Sequence, residues 1–399
     1  MGLLSLIRSA KRSTRQVSID TSMGNVLIAG GSKRGAETVM RNYAIDSVNN
    51  NIGVVIFRDQ SNGISSYPSI SSSSRLIYDV DCSDNSTTEQ IDIFAGMNDV
   101  EINSFIIKLF DMYNEIDKTK KMSFQNYIAL LRNLAKKAGK RVKLNNLADF
   151  PIEEIETYNS VYCYGMELSK NDRFLSSIRS EIRELEAYFF DFSNNVAGYV
   201  LSGNKSLEQI FKIKPIIEIS LDFSRKPEES TIIMAAFIDA ICRINFSITS
   251  VVGVNVFVDG APNDVLINSG LQKLIKNGGS FNVIYTVQDI SNLVETSNEW
   301  IDYADSYLFF RQNSNKNKEF CSEFFGTYEK QKETITKGVS NPSFFDRMSG
   351  RGSSSKQSST SITTEKERVY GQEVFAGLPD NQAIFYYKKT NEHMYLTVY

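Results

Sequence analysis

The stretch Gly24 to Asp59, GNVLIAGGSKRGAETVMRNYAIDSVNNNIGVVIFRD, constrains the fold more than any other because it reads as strand, glycine loop, helix and second strand. Val26 to Ala29 is a short apolar run of the kind buried in a parallel sheet. The glycine loop Gly30-Gly31-Ser32-Lys33-Arg34-Gly35 follows at once. Thr38 to Ser47 has the pattern of a helix, and Gly53 to Phe57 is a second buried strand. In a βαβ unit with glycines at the first turn, the exposed N–H groups of loop and helix N-terminus point at an anion, so phosphates bind there.

The spacing is that of a P-loop, G-x-x-x-x-G-K-[ST], with Gly30 and Gly35 as the two glycines. The next two positions depart from it. Ala36 stands where a lysine would reach the β and γ phosphates of ATP, and Glu37 where a hydroxyl would hold Mg2+. A carboxylate there repels the phosphates by roughly a few kcal/mol at a partly screened surface site. Thr38 comes one place late and would serve the metal only if the loop shifted. Lys33 and Arg34 carry positive charge within the loop and partly compensate. Two readings stand: a phosphate-binding loop made of Gly30, Gly31, Ser32, Lys33, Arg34, Gly35 and Thr38, or a glycine-rich βα turn that only closes the fold.

At 399 residues the chain has room for one large α/β domain with an insertion, or for two domains. Cys82, Cys163, Cys242 and Cys321 are scattered without C-x-x-C spacing, which argues against a disulfide framework or zinc site and fits a reducing compartment. His393 is the one histidine, which nearly excludes histidine-based triads and histidine-rich metal sites. A net charge of −3 does not suggest a protein wrapped in nucleic acid, although a local patch can be basic on an acidic body. No apolar run approaches the roughly 20 residues that span a bilayer. Met1 to Gln16, MGLLSLIRSAKRSTRQ, is either a basic amphipathic segment for an anionic membrane or a partner helix, or a frayed arm. The expectation is a cytoplasmic protein, with any peripheral contact at the inner face of the membrane made through this arm.

After the second strand comes a serine-rich loop, Ser61 to Ser74, and then a strand from Arg75 to Val80. From about Val100 the period becomes helical, with Ile102, Phe105, Ile106, Leu109 and Phe110, then Tyr127, Leu130, Leu131 and Leu134, then Ile178, Ile182, Leu185, Tyr188 and Phe189. Residues 100–200 therefore read as an all-helical insertion. Within it Lys136, Lys137, Lys140, Arg141 and Lys143 form the dense basic cluster, which either meets a nucleic-acid phosphate backbone or is a solvated helix end.

Strand and helix alternation returns with the strand Pro215 to Leu221 and the helix Thr231 to Ile244. Val254 to Asp259, VNVFVD, has the form of a Walker B strand whose terminal aspartate positions the metal. Gly260 stands where a glutamate commonly orients the attacking water, so the general-base position is empty. Phe281 to Gln288 is a further strand ending in Gln288 and Asp289, and Ser306 to Gln312 another ending in Arg311 and Gln312. Ala383 to Lys388 and Met394 to Val398 complete about eight or nine strands. Polar residues at the carboxyl ends of parallel strands are where ligands bind in open α/β sheets. Between Gly338 and Lys366 the chain is too polar to fold alone and reads as a loop or linker.

The order of these pieces, VNVFVDGAPND, FNVIYTVQDISNL, YADSYLFFRQNSNKNKEFCSEFFG, the serine-rich loop and EVFAGLPDNQAIFYYKK, resembles the coupling proteins of type IV secretion and conjugation, in the TraG and FtsK-like branch of RecA-like ATPases. The glutamine of that pattern matches Gln288, its helix-closing glycine Gly326, and its leucine-proline pair Leu378 and Pro379. The resemblance covers nearly the whole chain from about Gly24 and rests on order and spacing more than on identical motifs.

It implies a RecA-like P-loop NTPase domain of class α/β with a mostly parallel central sheet and an all-α insertion. The implied division is a basic arm (1–20), a first RecA-like part (21–99), the insertion (100–200) and a second part (201–399) containing the polar loop 338–366. It also implies ATP and Mg2+, a hexamer or other oligomer, and DNA, a relaxosome or another secretion substrate as partner. Asp259 would hold the metal, Gln288 would face the γ-phosphate, and Arg311 would act across a subunit interface. The expectation is of a chain without the family's N-terminal transmembrane helices, and Ala36 and Gly260 stand in place of the P-loop lysine and Walker B glutamate. Either a coupling-protein-like ATPase with impaired hydrolysis or a non-hydrolysing adaptor of the same fold is expected.

Overall fold

The computed structural model describes residues 20–30, 33–60, 77–82, 89–113, 194–277, 279–296, 299–340 and 355–398, with scattered positions between 121 and 191. The expected arm at 1–20, of which residue 20 alone is described, the loop Ser61 to Ser74 and the helical run Ile178 to Phe189 lie almost wholly outside the described residues. The chain divides into two compact units, residues 1–310 with 380–399, and residues 311–379.

The first unit is built on a nine-stranded sheet in the order β11-β10-β7-β1-β6-β5-β2-β4-β3. Its strands are β1 (Val26–Ala29), β2 (Gly53–Asp59), β3 (Ile77–Asp81), β4 (Ile216–Leu221), β5 (Val254–Asp259), β6 (Phe281–Val287), β7 (Ser306–Phe309), β10 (Gln382–Tyr387) and β11 (Glu392–Thr397). From β7 to β3 every pair is parallel, while β10 and β11 add an antiparallel edge. The residues of β1, β4, β5 and β7 are buried throughout, as parallel strands covered on both faces must be. Alternating exposure appears on the outlying strand β3.

Helix α1 (Lys33–Asn49) crosses from β1 to β2 and buries Val39, Met40 and Tyr43 in one core with Val26, Ile28, Ile56, Phe257 and Ile284. Helix α2 (Asp99–Tyr113) opens the expected insertion. Asn98 and Glu101 cap it, and Phe105, Ile106, Leu109 and Phe110 are buried. Helix α3 (Pro227–Cys242) starts earlier than the expected Thr231, because Pro227 fits the first turn and Glu228 and Glu229 favour its positive end. Phe237 of α3 packs edge-on against Phe57, on the sheet face opposite Ile56. Two short helices, α4 (Asn263–Asn268) and α5 (Gln272–Asn277), lead from β5 to β6. Helices α6 (Ile290–Thr296) and α7 (Glu299–Asp302) then lead to β7. Trp300 of α7 is fully buried, its ring centroid 5.4 Å from that of Tyr285. Among the described residues no helix is long and apolar enough to cross a membrane.

The second unit contains α8 (Asn315–Phe324), the paired strands β8 (Thr327–Ser340) and β9 (Ser355–Arg368), and α9 (Gln372–Gly377). Ser314 caps α8, accepting the Asn317 N–H at 3.1 Å. Gly326 takes φ 73°, the left-handed turn that stops the helix and starts β8. Phe325 packs on Tyr370 and Phe375, ring centroids 4.9 and 6.1 Å away. The polar stretch 338–366 was expected to be loop. Instead Gly338 to Ser340 pairs with Ser355 to Gln357, and the strand runs on through Lys366. Its threonines, Ile362 and Val339 favour an extended backbone even where composition is polar.

The candidate nucleotide-site rim

Strand β1 ends at Ala29, and the Gly30 N–H donates to the Val287 carbonyl at 3.0 Å before the chain turns through Gly30 at φ 69°. Helix α1 begins at Lys33, so only residues 30–32 lie between strand and helix. Gly31 and Ser32 are outside the described residues. Lys33 and Arg34, expected inside the loop, are instead the first two residues of the helix. No acidic residue occupies that first turn, so no carboxylate there offsets the positive end of the helix dipole.

Gly35 is needed for packing. A Cβ there would lie 2.5 Å from Phe310 Cε1 and 2.7 Å from the Asp380 carbonyl oxygen. Ala36, in the place of the P-loop lysine, is buried in the core beneath α1, while Glu37 and Thr38 are half-buried.

Asp259 closes β5 and is nearly buried. Its Oδ1 accepts from Thr286 Oγ1 at 3.2 Å, and the Gly260 N–H donates to the same hydroxyl at 2.8 Å. Gly260 has φ 78°. A glutamate in its place would have to adopt a left-handed backbone, so the empty general-base position is also a glycine-shaped one. Because β6 lies between β1 and β5, the glycine turn and Asp259 sit on the same rim with one strand between them, about 10 Å at ordinary strand spacing. The last two residues of β6 join them: Thr286 holds the turn after β5, and Val287 holds the turn after β1.

Gln288 follows β6 on this rim and is exposed. Asp289 is used as a helix cap, its Oδ1 accepting from Ser291 Oγ at 2.8 Å and the Asn292 N–H at 3.1 Å. Arg311 is the first residue of the second unit. Among the described residues no group of three or more His, Cys, Asp or Glu is arranged to hold a metal. Asp259 supplies the carboxylate at this turn, and one or two carboxylates are the usual protein share of a Mg2+ site completed by phosphates and water. Ala36 and Gly260 stand where a phosphate-binding lysine and a water-orienting acid would be, and Asp259 is the carboxylate that could hold a metal at this turn.

Of the basic cluster, Lys137 and Lys140 lie outside the described residues. Lys136 is 4.0 Å from Asp99, Arg141 is ion-paired with Asp92, and Lys143 Nζ donates to Asn204 Oδ1 at 2.7 Å.

Sequence reasoning missed Thr286 and a polar group beside Asp259. Arg58 pairs in register with both Asp259 and Ser220. Its Nε donates to Ser220 Oγ at 2.8 Å and lies 2.7 Å from Glu218 Oε1. Glu218 is buried within β4. Burial pushes its carboxyl up, while the Arg58 guanidinium pulls it down. The signal was a glutamate interrupting the apolar run IIEIS and an arginine ending GVVIFRD.

No family model matches the sequence, and no curated protein matches it either. Solved structures do. The bacterial conjugative coupling protein TrwBΔN70, in its trigonal form with sulphate, matches with TM-score 0.59 and 12% identity, covering 98% of this chain and 91% of that one. The chain has the fold of a conjugative coupling protein. TrwB in complex with ADP and Mg2+ matches with TM-score 0.57 and 12% identity over 98% of this chain and 90% of that one. VirB4 of Thermoanaerobacter pseudethanolicus matches with TM-score 0.56 and 9% identity over 94% and 89%. The fold shared with these structures is an α/β fold on a mostly parallel sheet, with β1, β6 and β5 at its centre.

Proposed function

We propose that this chain is a coupling-protein-like component of a type IV secretion or conjugative DNA-transfer assembly, with impaired nucleotide hydrolysis. The observation that carries the reading is the anchoring of the Gly30 turn and the Asp259 turn to consecutive residues of β6, Val287 and Thr286. In this reading Gly30, Gly31, Ser32, Lys33, Arg34, Gly35 and Thr38 border the phosphates, Asp259 holds Mg2+ and Gln288 lies at the γ-phosphate end. Bound MgATP would supply phosphoryl-transfer energy. The chain's own residues would hold and orient it, without the lysine that neutralises developing charge or the acid that directs water. Removing one such group typically costs 10²-fold or more, so two missing groups leave turnover below about 0.1 per second. Hexameric assembly, an interfacial role for Arg311 and contact of Lys136, Lys137, Lys140, Arg141 and Lys143 with DNA belong to the same proposal.

A second reading, an adaptor that holds no nucleotide, is favoured by Gly35 and Ala36, whose identities the packing of α1 already explains. Isothermal titration with MgATP and a phosphate-release assay separate the two. Binding that Asp259→Asn weakens, with slow release, supports the first. Absence of binding at millimolar nucleotide leaves the adaptor, and fast release overturns the impaired-hydrolysis reading.

A further inference from the structure

The ribbon of β8 and β9 forms a sheet of its own, with no third strand among the described residues. Each strand is 14 residues long, so the ribbon runs roughly 47 Å at ordinary strand rise. A two-stranded ribbon is only marginally stable by itself in water, and the outward N–H and C=O groups of a long edge are a template for another strand.

The base of the ribbon is satisfied within the chain. Arg368 Nη2 lies 2.9 Å from Glu323 Oε1, and the Tyr328 hydroxyl donates to Glu367 Oε2 at 2.9 Å. Glu329 and Lys330 stand opposite Lys366 and Glu365, so charge is matched there across the two strands. Farther out this matching stops. Glu333 stands opposite Ile362 and Lys337 opposite Ser358, and neither of those neighbours carries a charge. Glu333, Ile335 and Lys337 share one face of β8, as alternate residues of a strand do.

We propose that β8 pairs antiparallel with β8 of a second copy of this chain, about a two-fold axis through Ile335. An axis normal to the ribbon keeps every residue on its own face, so only positions an even number apart can stand opposite one another. Among those registers of β8 on itself, one alone sets opposite charges against each other and no like charges. It is the register centred on Ile335, which puts Glu333 opposite the partner's Lys337, twice by symmetry, on either side of the Ile335 pair. The remaining lysines, which would blunt an edge, meet neutral positions: Lys330 stands opposite the partner's Ser340 and Lys332 opposite the partner's Gly338. No such register of β9 on itself matches opposite charges. The product is a four-stranded sheet, β9-β8-β8-β9, in which residues 330–340 of each copy gain a second ladder. The contact is isologous and closes at two copies, so it is separate from the head-to-tail contacts of a ring and needs no nucleotide.

Sedimentation velocity and oxidative cross-linking of the full chain test this. Glu333→Lys or Lys337→Glu alone turns both attractive pairs repulsive and is expected to weaken the dimer about tenfold, and the double exchange of Glu333→Lys with Lys337→Glu is expected to restore it. Ile335→Cys sets two thiols opposite each other at a Cα separation of about 5 Å, within disulfide reach, and is expected to cross-link into a dimer. Thr327→Cys, at the base and outside the pairing, is not. A wild-type chain that stays monomeric at every concentration overturns the inference. So does association that both single exchanges leave intact or that the double exchange fails to restore, and so does an Ile335→Cys variant that cross-links no better than Thr327→Cys. Open-ended growth abolished by the single exchanges would mean head-to-tail pairing and would overturn the two-fold axis.

Discussion

Thr286 Oγ1 lies 3.2 Å from Asp259 Oδ1 and accepts the Gly260 N–H at 2.8 Å, so one hydroxyl on β6 fixes both the acid and the turn that follows it. The neighbouring Val287 carbonyl accepts the Gly30 N–H. Two turns from distant parts of the chain are thus set against one strand end, and their relative position follows from the ladder of β1, β6 and β5.

Thr286→Val removes the hydroxyl while keeping the shape. It leaves the Gly260 N–H and one Asp259 oxygen without this partner in a nearly buried place. The expected loss is about 1–2 kcal/mol, whereas Thr286→Ser, which keeps the hydroxyl, loses less than about 1 kcal/mol. Urea unfolding followed by fluorescence measures this directly, because Trp300 is the one tryptophan and lies buried beside Tyr285. Equal stability of the valine variant and wild type would mean that the hydroxyl does not hold the turn.

Gly35→Ala places a methyl 2.5 Å from Phe310 Cε1 and 2.7 Å from the Asp380 carbonyl, where the backbone oxygen cannot swing away. A loss of roughly 1–3 kcal/mol is expected with no nucleotide present. Thermal unfolding reads it. A variant as stable as wild type would show that α1 does not need this close approach.

Arg58→Gln leaves Glu218 buried without its cation. At neutral pH the expected destabilisation is roughly 3 kcal/mol. The folded-state pKa of Glu218 is raised by burial and opposed by Arg58, so removing the arginine raises it further. A carboxyl with a raised folded pKa contributes stability that is fully present below its unfolded pKa, about 4.3, and is lost as pH rises through the folded value. The variant should therefore recover most of its deficit near pH 4, and urea midpoints from pH 4 to 8 would follow it. A deficit independent of pH would mean that Glu218 is not the group exposed by the change.

Much of the rim was readable from local pattern. Val26 to Ala29 and Val254 to Asp259 are apolar runs of strand length, bounded by glycine or acid, and they became β1 and β5. What escaped depends on partners far away in the chain. Gly35 looked like a phosphate glycine, and its contact with Phe310 and Asp380 could not be seen from its neighbours. The early start of α1 at Lys33 carries no terminator signal of its own, since Lys33 and Arg34 are good helix formers placed at an unfavourable end. The ribbon of β8 and β9 hid behind serine-rich composition, because strand pairing is satisfied by backbone groups that composition does not report.

The sequence alone determined which segments are buried strands and that a glycine turn and an aspartate close two of them, because burial on both sheet faces requires unbroken apolar runs. Only the tertiary structure decided that these two ends lie on one rim with Thr286 and Val287 between them, and that Arg58 meets Glu218. Strand order is set by pairing between segments hundreds of residues apart, and no local pattern encodes which strand lies next to which.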